Sequence, residues 1–315
     1  MKIVITGALG NIGSKLIREI PNHFPGADII MIDNISTLRF CSLFNLSNYC
    51  NYRFIEGDLT HIDLDDIIAN SDVVVHLAAI TDAIKSFAIR EKIARVNYSS
   101  TKLVAKQCRN HNVPMIHISS TSVYGSQSSI INETCSEKDL KPQSPYAETK
   151  LKEENLLADY HERGLRFIIC RFGTVCGVSP GMRFHTTINR LCWQAIMGQP
   201  MTVWRSATSQ KRPYLTIHDA VEAILYIIKQ ELYYGTKYNI LTQNLTISEI
   251  INIISSHLDS YEVSYVDSEI MNQLSYEVCN ERFKSTGFRF RGDIAQSIQE
   301  TIDMLKNAST ASPFK

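Results

Sequence analysis

A tyrosine four residues ahead of a lysine on one helical face can serve as a general base, because a nearby ammonium stabilises the phenolate. The chain contains three such pairs: Tyr98/Lys102, Tyr146/Lys150 and Tyr233/Lys237. Tyr98/Lys102 lies in the middle of a helical pattern, far from any strand end, and reads as a surface pair. Tyr233/Lys237 spans Gly235, which should interrupt a helix. Tyr146/Lys150 differs from both, because Pro145 suits the first helical position and the spacing keeps both side chains on one face. A hydroxyl-rich run, Ser119-Ser120-Thr121-Ser122-Val123-Tyr124-Gly125, precedes it. A hydroxyl there could bond the reacting oxygen of a substrate, although a polar turn would have the same composition.

A second chemistry is written near the start. In Thr6-Gly7-Ala8-Leu9-Gly10-Asn11-Ile12-Gly13, three glycines can serve a tight turn, close approach of backbone to a pyrophosphate, and tight strand–helix packing. The helix N-terminus then offers N–H groups to the anion. Asp33 follows the last glycine by 20 positions, the spacing of a carboxylate that binds a ribose diol. The competing reading is a turn residue before Asn34. An acid at this point disfavours a 2′-phosphate, which selects NAD over NADP; Arg39 is the cation nearby in sequence. Asp58 and Leu59 follow a third strand, and Leu77, Ala78 and Ala79 follow His76 with small side chains that allow a dinucleotide to lie close.

These groups need strands to hold them. Residues 2–6, 28–32, 52–55, 72–76, 115–119 and 165–171 read as strands, Val- and Ile-rich and bounded by turn residues. Helical patterns at 11–20, 63–69, 90–110 and 145–163 separate them, so the expectation is an α/β doubly wound parallel sheet covered by helices on both faces. After Arg171 the rhythm changes. Residues 173–181 read as a loop, 183–197 and 218–231 as helices, 214–216 and 237–240 as short strands. Segments 246–257, 262–266 and 292–305 suggest a small α+β lobe, and 307–315 a frayed tail.

The motifs TGALGNIG, Asp33, HLAA, SSTSVYG and SPYAETK, in this order, resemble the extended short-chain dehydrogenase/reductase family, in its NAD-dependent nucleotide-sugar epimerase/dehydratase branch. The second half matches more loosely, through RFGTVCG at 171–177 and RPYLTIHDAVEAI at 212–224. The resemblance implies a Rossmann domain (1–170 plus about 213–232) and a smaller nucleotide-sugar-binding lobe (171–212 and 233–315). It implies Tyr146 as base, Lys150 as its partner on the nicotinamide ribose, and Ser120 as the hydroxyl that positions the sugar. It further implies NAD held by Gly7, Gly10, Asn11, Ile12, Gly13, Asp33, Asp58, Leu59, Leu77, Ala78, Ala79, Asn97, Tyr146 and Lys150. Substrate would meet Ser120, Thr174, Arg183 and Arg212, the last suited to a diphosphate by its guanidinium fork.

Departures narrow the subclass. Sugar 4,6-dehydratases of the family carry Asp-Glu after the hydroxyl residue, where this chain has Thr121-Ser122; enzymes inverting C3 and C5 place a cysteine there. Thr174 stands where many relatives have asparagine. The leading expectation is therefore a 4-epimerase that oxidises C4 transiently. Alternatives are a one-way 4-dehydrogenase or 4-keto reductase, or a non-catalytic dinucleotide-binding protein, against which the intact Tyr146, Lys150 and Ser120 argue.

Composition sets the outer bounds. In 315 residues, 44% are apolar, and 32 Lys+Arg balance 32 Asp+Glu, which gives no general attraction to nucleic acid or anionic lipid. No apolar run reaches the length of a membrane span. The eight cysteines include no C-x-x-C pair and read as reduced thiols, with no metal site expected and the cytoplasm as the expected location. The resemblance and the apolar positions Ile93, Val96, Leu103, Val104, Leu151, Leu156, Leu157 and Tyr160 suggest a homodimer.

Overall fold

Strands with apolar residues at every position must be covered on both faces, and alternation then sends successive side chains into two different cores. The computed structural model, which describes residues 1–81, 85–267 and 276–308, shows this arrangement. In β1 (Lys2–Thr6), Ile3 and Ile5 enter one core and Val4 the other. The first core is completed by Leu16, Ile17 and Ile20 of α1 (Asn11–His23). Next come β2 (Asp28–Asp33), β3 (Asn51–Glu56), α2 (Asp65–Ala69), β4 (Val73–His76), α3 (Arg90–Asn110), β5 (Met115–Ser120), α4 (Pro145–His161) and β6 (Phe167–Phe172). Val104 and Cys108 of α3 and Leu156, Leu157 and Tyr160 of α4 complete the second core. Each fully buried Ile or Leu contributes roughly 1.5–3 kcal/mol.

The remaining elements are β7 (Thr174–Cys176), α5 (Thr187–Ile196), β8 (Met201–Trp204), β9 (Arg212–Thr216), α6 (Ile217–Gln230), β10 (Tyr234–Ile240), β11 (Gln243–Leu245), α7 (Ile247–Ser255), β12 (Val263–Val266), α8 (Glu281–Lys284) and α9 (Ile294–Leu305). The main sheet has seven strands in the order β10-β6-β5-β4-β1-β2-β3, and its pairings are parallel. Order reverses between β1 and β4, which opens a crevice at the carboxyl ends of those strands. A three-stranded sheet, β11-β9-β7, and the pair β12-β8 form the smaller lobe with α5, α7 and α9 around a third core.

The Rossmann-type sheet and lobe match the expectation, with two corrections. Residues 234–240, expected in the lobe, pair with β6 and close the edge of the main sheet, because α6 returns the chain to that edge in parallel register. The 173–181 stretch, expected as loop, contains β7. Most of the apolar positions thought to await a second copy are spent inside the chain: Ile93, Val104, Leu156, Leu157 and Tyr160 are buried, and Leu103 is exposed. Among the described residues no helix is long and apolar enough to cross a membrane. Of the expected tail, residues 309–315 lie outside the described residues.

Candidate active site

Ser144 caps α4 by accepting the Ala147 N–H at 3.2 Å, and Pro145 occupies the first turn. Tyr146 is therefore fixed at a helix start, and Lys150 follows one turn later, its Nζ 6.0 Å from the centre of the Tyr146 ring. Ser120, the last residue of β5, meets them from the sheet. Its Oγ accepts the Ser122 N–H at 3.2 Å and lies 2.9 Å from the Ser122 Oγ. Ser120, Tyr146 and Lys150 all line a cleft of about 610 Å³ between the main sheet and the lobe.

Lys150 is 3% exposed, and its ammonium meets Glu153 Oε2 at 2.8 Å. Burial, the largest single influence, lowers the Lys150 pKa, but Glu153, Tyr146 and Glu154 together outweigh it and the net direction is upward. Burial also pushes the Tyr146 phenol above its ordinary value; Lys150 pulls it back, Glu153 raises it again and Arg183 lowers it. Among the chain's own groups burial prevails, so the net direction is opposite to that expected from Lys150 alone.

The glycine turn supplies the other half of the site. Gly7 has φ +67, and a Cβ there would lie 2.7 Å from the Ala78 nitrogen; one on Gly13 would lie 2.6 Å from the Ala8 and Gly7 carbonyl oxygens. Only glycine lets the turn, the Leu77–Ala79 strand end and α1 approach this closely. Gly10 caps α1 without a side chain, leaving the helix N-terminus facing the crevice, as a pyrophosphate requires. Asp33 accepts the Leu9 and Ile35 N–H groups, each at 3.0 Å, and so stands beside the turn. Arg39 lies close enough for Asp33 to oppose the lowering of its pKa by burial. Asp58 faces the same end through Asn34 Nδ2 at 3.3 Å, while the side chain of Leu59 joins the core.

Asn11, Ile12, Leu77 and Ala79 line the cleft alongside Tyr146 and Lys150. Asn97 does not. It is buried, with its amide spent on the backbone of Ile80, accepting at 2.8 Å and donating at 3.0 Å, so it holds the strand end from behind. From the lobe, Thr174, Arg183 and Arg212 line the cleft, and Arg183 donates to Thr81 Oγ1. The lobe also clasps the turn itself: Ser179 donates to Asn11 Oδ1 at 2.8 Å, and the Gly181 N–H donates to Ser14 Oγ at 2.9 Å. Tyr98 packs against the second core, and Tyr233 precedes β10 and joins the first. Neither lines the cleft.

Sequence reading missed several lining residues, chiefly Gln143, Thr187, Arg190 and Tyr276. Thr187, Arg190 and Leu191 recur at helical spacing on α5, a signal that was present. Among the described residues no aspartate or glutamate lines the cleft, while Lys150, Arg183, Arg190 and Arg212 do. Thr121, at the first of the positions where a dehydratase would carry its acid pair, is buried and donates to the Phe172 carbonyl at 3.2 Å.

The sequence profile of the NAD dependent epimerase/dehydratase family matches residues 3–240. The chain belongs to that family. It is an NAD-dependent enzyme of the extended short-chain dehydrogenase/reductase type. This epimerase/dehydratase-family chain is 32% identical over 249 residues to an uncharacterized UDP-glucose epimerase of Bacillus subtilis (strain 168), covering 76% of each chain. It is 28% identical over 328 residues to a dTDP-D-glucose 4,6-dehydratase of Bos taurus, covering 96% of this chain and 88% of that one. Among solved structures, it is similar to UDP-glucuronic acid 4-epimerase from Bacillus cereus in complex with UDP-glucuronic acid and NAD. There the TM-score is 0.87 and the identity 25%, with 98% of this chain and 99% of that one covered.

Proposed function

We propose that this enzyme is a nucleotide-sugar 4-epimerase. The observation that carries the reading is a cleft holding a base, its ammonium and a positioning hydroxyl, with no carboxyl group among its described lining residues. Elimination of water from a sugar needs an acid and a base beyond the tyrosine; inversion at C4 does not. Asn11, Ile12, Gly13, Asp33 and the Leu77–Ala79 strand end would hold NAD, with Lys150 on its nicotinamide ribose. When bound, NAD supplies a reversible hydride acceptor.

Tyr146 Oη takes the proton of the C4 hydroxyl and later returns it. Ser120 hydrogen-bonds the same oxygen and holds the sugar while its other face turns toward the cofactor. Arg212 matches a diphosphate, and the cationic wall, carboxylate-free among its described residues, suits an anionic substrate. The UDP-glucuronic acid bound in the similar Bacillus cereus 4-epimerase supports this substrate class. The test is incubation of the purified protein with UDP-glucose, UDP-glucuronic acid and their dTDP, GDP and CDP counterparts. C4 inversion followed by NMR without net NADH absorbance is expected. Stoichiometric NADH would replace the reading by a dehydrogenase, and a 4-keto-6-deoxy product by a dehydratase. Cytoplasmic location and a homodimer belong to the same reading, and a monomer mass in light scattering would remove the dimer.

A further inference from the structure

The mechanism above uses Tyr146, Lys150 and Ser120 but gives no part to the carboxylate immediately behind them. Glu153 lies one turn beyond Lys150 on α4 and is 0% exposed. One of its oxygens, Oε2, meets Lys150 Nζ at 2.8 Å and His117 Nε2 of β5 at 3.2 Å. The other, Oε1, is buried with no hydrogen-bond partner among the described residues. Behind His117, the His76 ring of β4 stacks at 5.8 Å and 23°. His76 is fixed by Thr6 Oγ1 at 2.8 Å and Thr101 Oγ1 at 3.2 Å. Taking an ion pair out of water generally gains little stability over an apolar pair, so stability alone does not account for this carboxylate.

We propose that Glu153 is a positioning residue for the reaction, anchoring the Lys150 ammonium from behind and setting how readily Tyr146 gives up its proton. The inference rests on Tyr146 being the base. A half-buried phenol with a buried ammonium and a buried carboxylate sums to zero charge, and ionising the phenol leaves one net negative charge beside a buried carboxylate. Glu153 therefore does two opposed things. It keeps Lys150 charged, as a ribose contact needs, and it makes phenolate formation harder than Lys150 alone would. Burial raises the carboxyl pKa, but Lys150 and His117 together hold it down to about 2, so Glu153 is ionised throughout the working range.

The other groups facing the base are accounted for. Arg183, from the segment before α5, pulls the phenol down. His117 and His76 are driven below their ordinary values, chiefly by burial, and stay neutral. Glu154 is closed off by Arg171 through bonds of 2.9 and 2.6 Å.

The test reads the phenolate directly. Ultraviolet absorbance is titrated with and without NAD in the parent and in Glu153→Gln, each minus the same protein carrying Tyr146→Phe, so that one tyrosine of 14 is isolated. Removing the carboxylate charge is expected to move the Tyr146 midpoint to lower pH by about one unit, and the ascending limb of the rate profile with it. A midpoint that stays in place overturns the proposal. Should Glu153→Gln fail to fold, Glu153→Asp decides: it keeps the charge but withdraws it from Nζ. A limb displaced to lower pH supports the proposal, and one superposed on the parent's overturns it. If Tyr146→Phe turns over like the parent, the base assignment fails instead, a result separable from an unmoved midpoint in an otherwise Tyr146-dependent enzyme.

Discussion

Replacing Tyr146 by phenylalanine removes one oxygen and leaves the ring in place. Turnover is expected to fall by about 10²–10⁴, with the fold and NAD affinity retained. Tyr98→Phe and Tyr233→Phe should stay within a small factor of the parent, because the first, on α3, packs against the second core and the second precedes β10 and joins the first core. Steady-state rates on the active sugar, with NAD binding measured alongside, separate the three. At the opposite end of the crevice, Asp33 presents two oxygens that each hold one backbone N–H and retain room for a ribose hydroxyl. Asp33→Asn should weaken NAD roughly tenfold and narrow its advantage over NADP; titration of both cofactors tests this, and tighter NADP binding by the parent would refute the role.

At the scale of elements, the first turn of α4 is the most sensitive feature, since it carries the cap and the proposed base within three residues. Ser144→Ala should cost about 1 kcal/mol of stability and lower kcat more than KM, as the frayed turn misplaces Tyr146; thermal denaturation and kinetics together check it. Much of this level was legible in the sequence. The bounds of β1 and α3 could be read directly, because strong periodicity runs between turn residues on both sides. The lobe was less legible. β7, β8 and β11 are three or four residues long, and what makes them strands is partners far away in the chain. β10 reads as part of the lobe for the same reason, since its partner β6 lies more than 60 residues earlier. Tyr146 and Lys150 were readable as a local pattern, and Ser120 only through the family resemblance. Glu153 was not, because the run 150–155 looks like a solvated charged face until β5 covers it.

For the whole molecule, the buried polar layer behind Tyr146 makes stability pH-dependent with a definite sign. His76 and His117 have folded-state pKa values below the ordinary 6.5, so the unfolded chain binds protons first and stability falls as pH drops below about 6.5. Glu153, depressed from 4.5 to about 2, adds stability that is present above 4.5 and is lost as pH falls toward 2. Melting temperature should therefore decline from pH 7 to 5 and more steeply below. His117→Gln should flatten the upper part of that decline; an unchanged slope would show that His117 contributes nothing to it.

The two bonds by which Ser179 and Gly181 clasp Asn11 and Ser14 bear on how the catalyst lives between turnovers. With NAD seated on the glycine turn as proposed above, its release would require Ser179 and Gly181 to let go of Asn11 and Ser14. On the proposed 4-epimerase reading the cofactor would stay with the enzyme between turnovers, each cycle returning it to the state in which it began. Protein purified without added nucleotide should carry NAD at a sizeable fraction of its sites and sustain many turnovers after gel filtration. Ser179→Ala should raise the rate at which that bound pool exchanges with labelled NAD in solution.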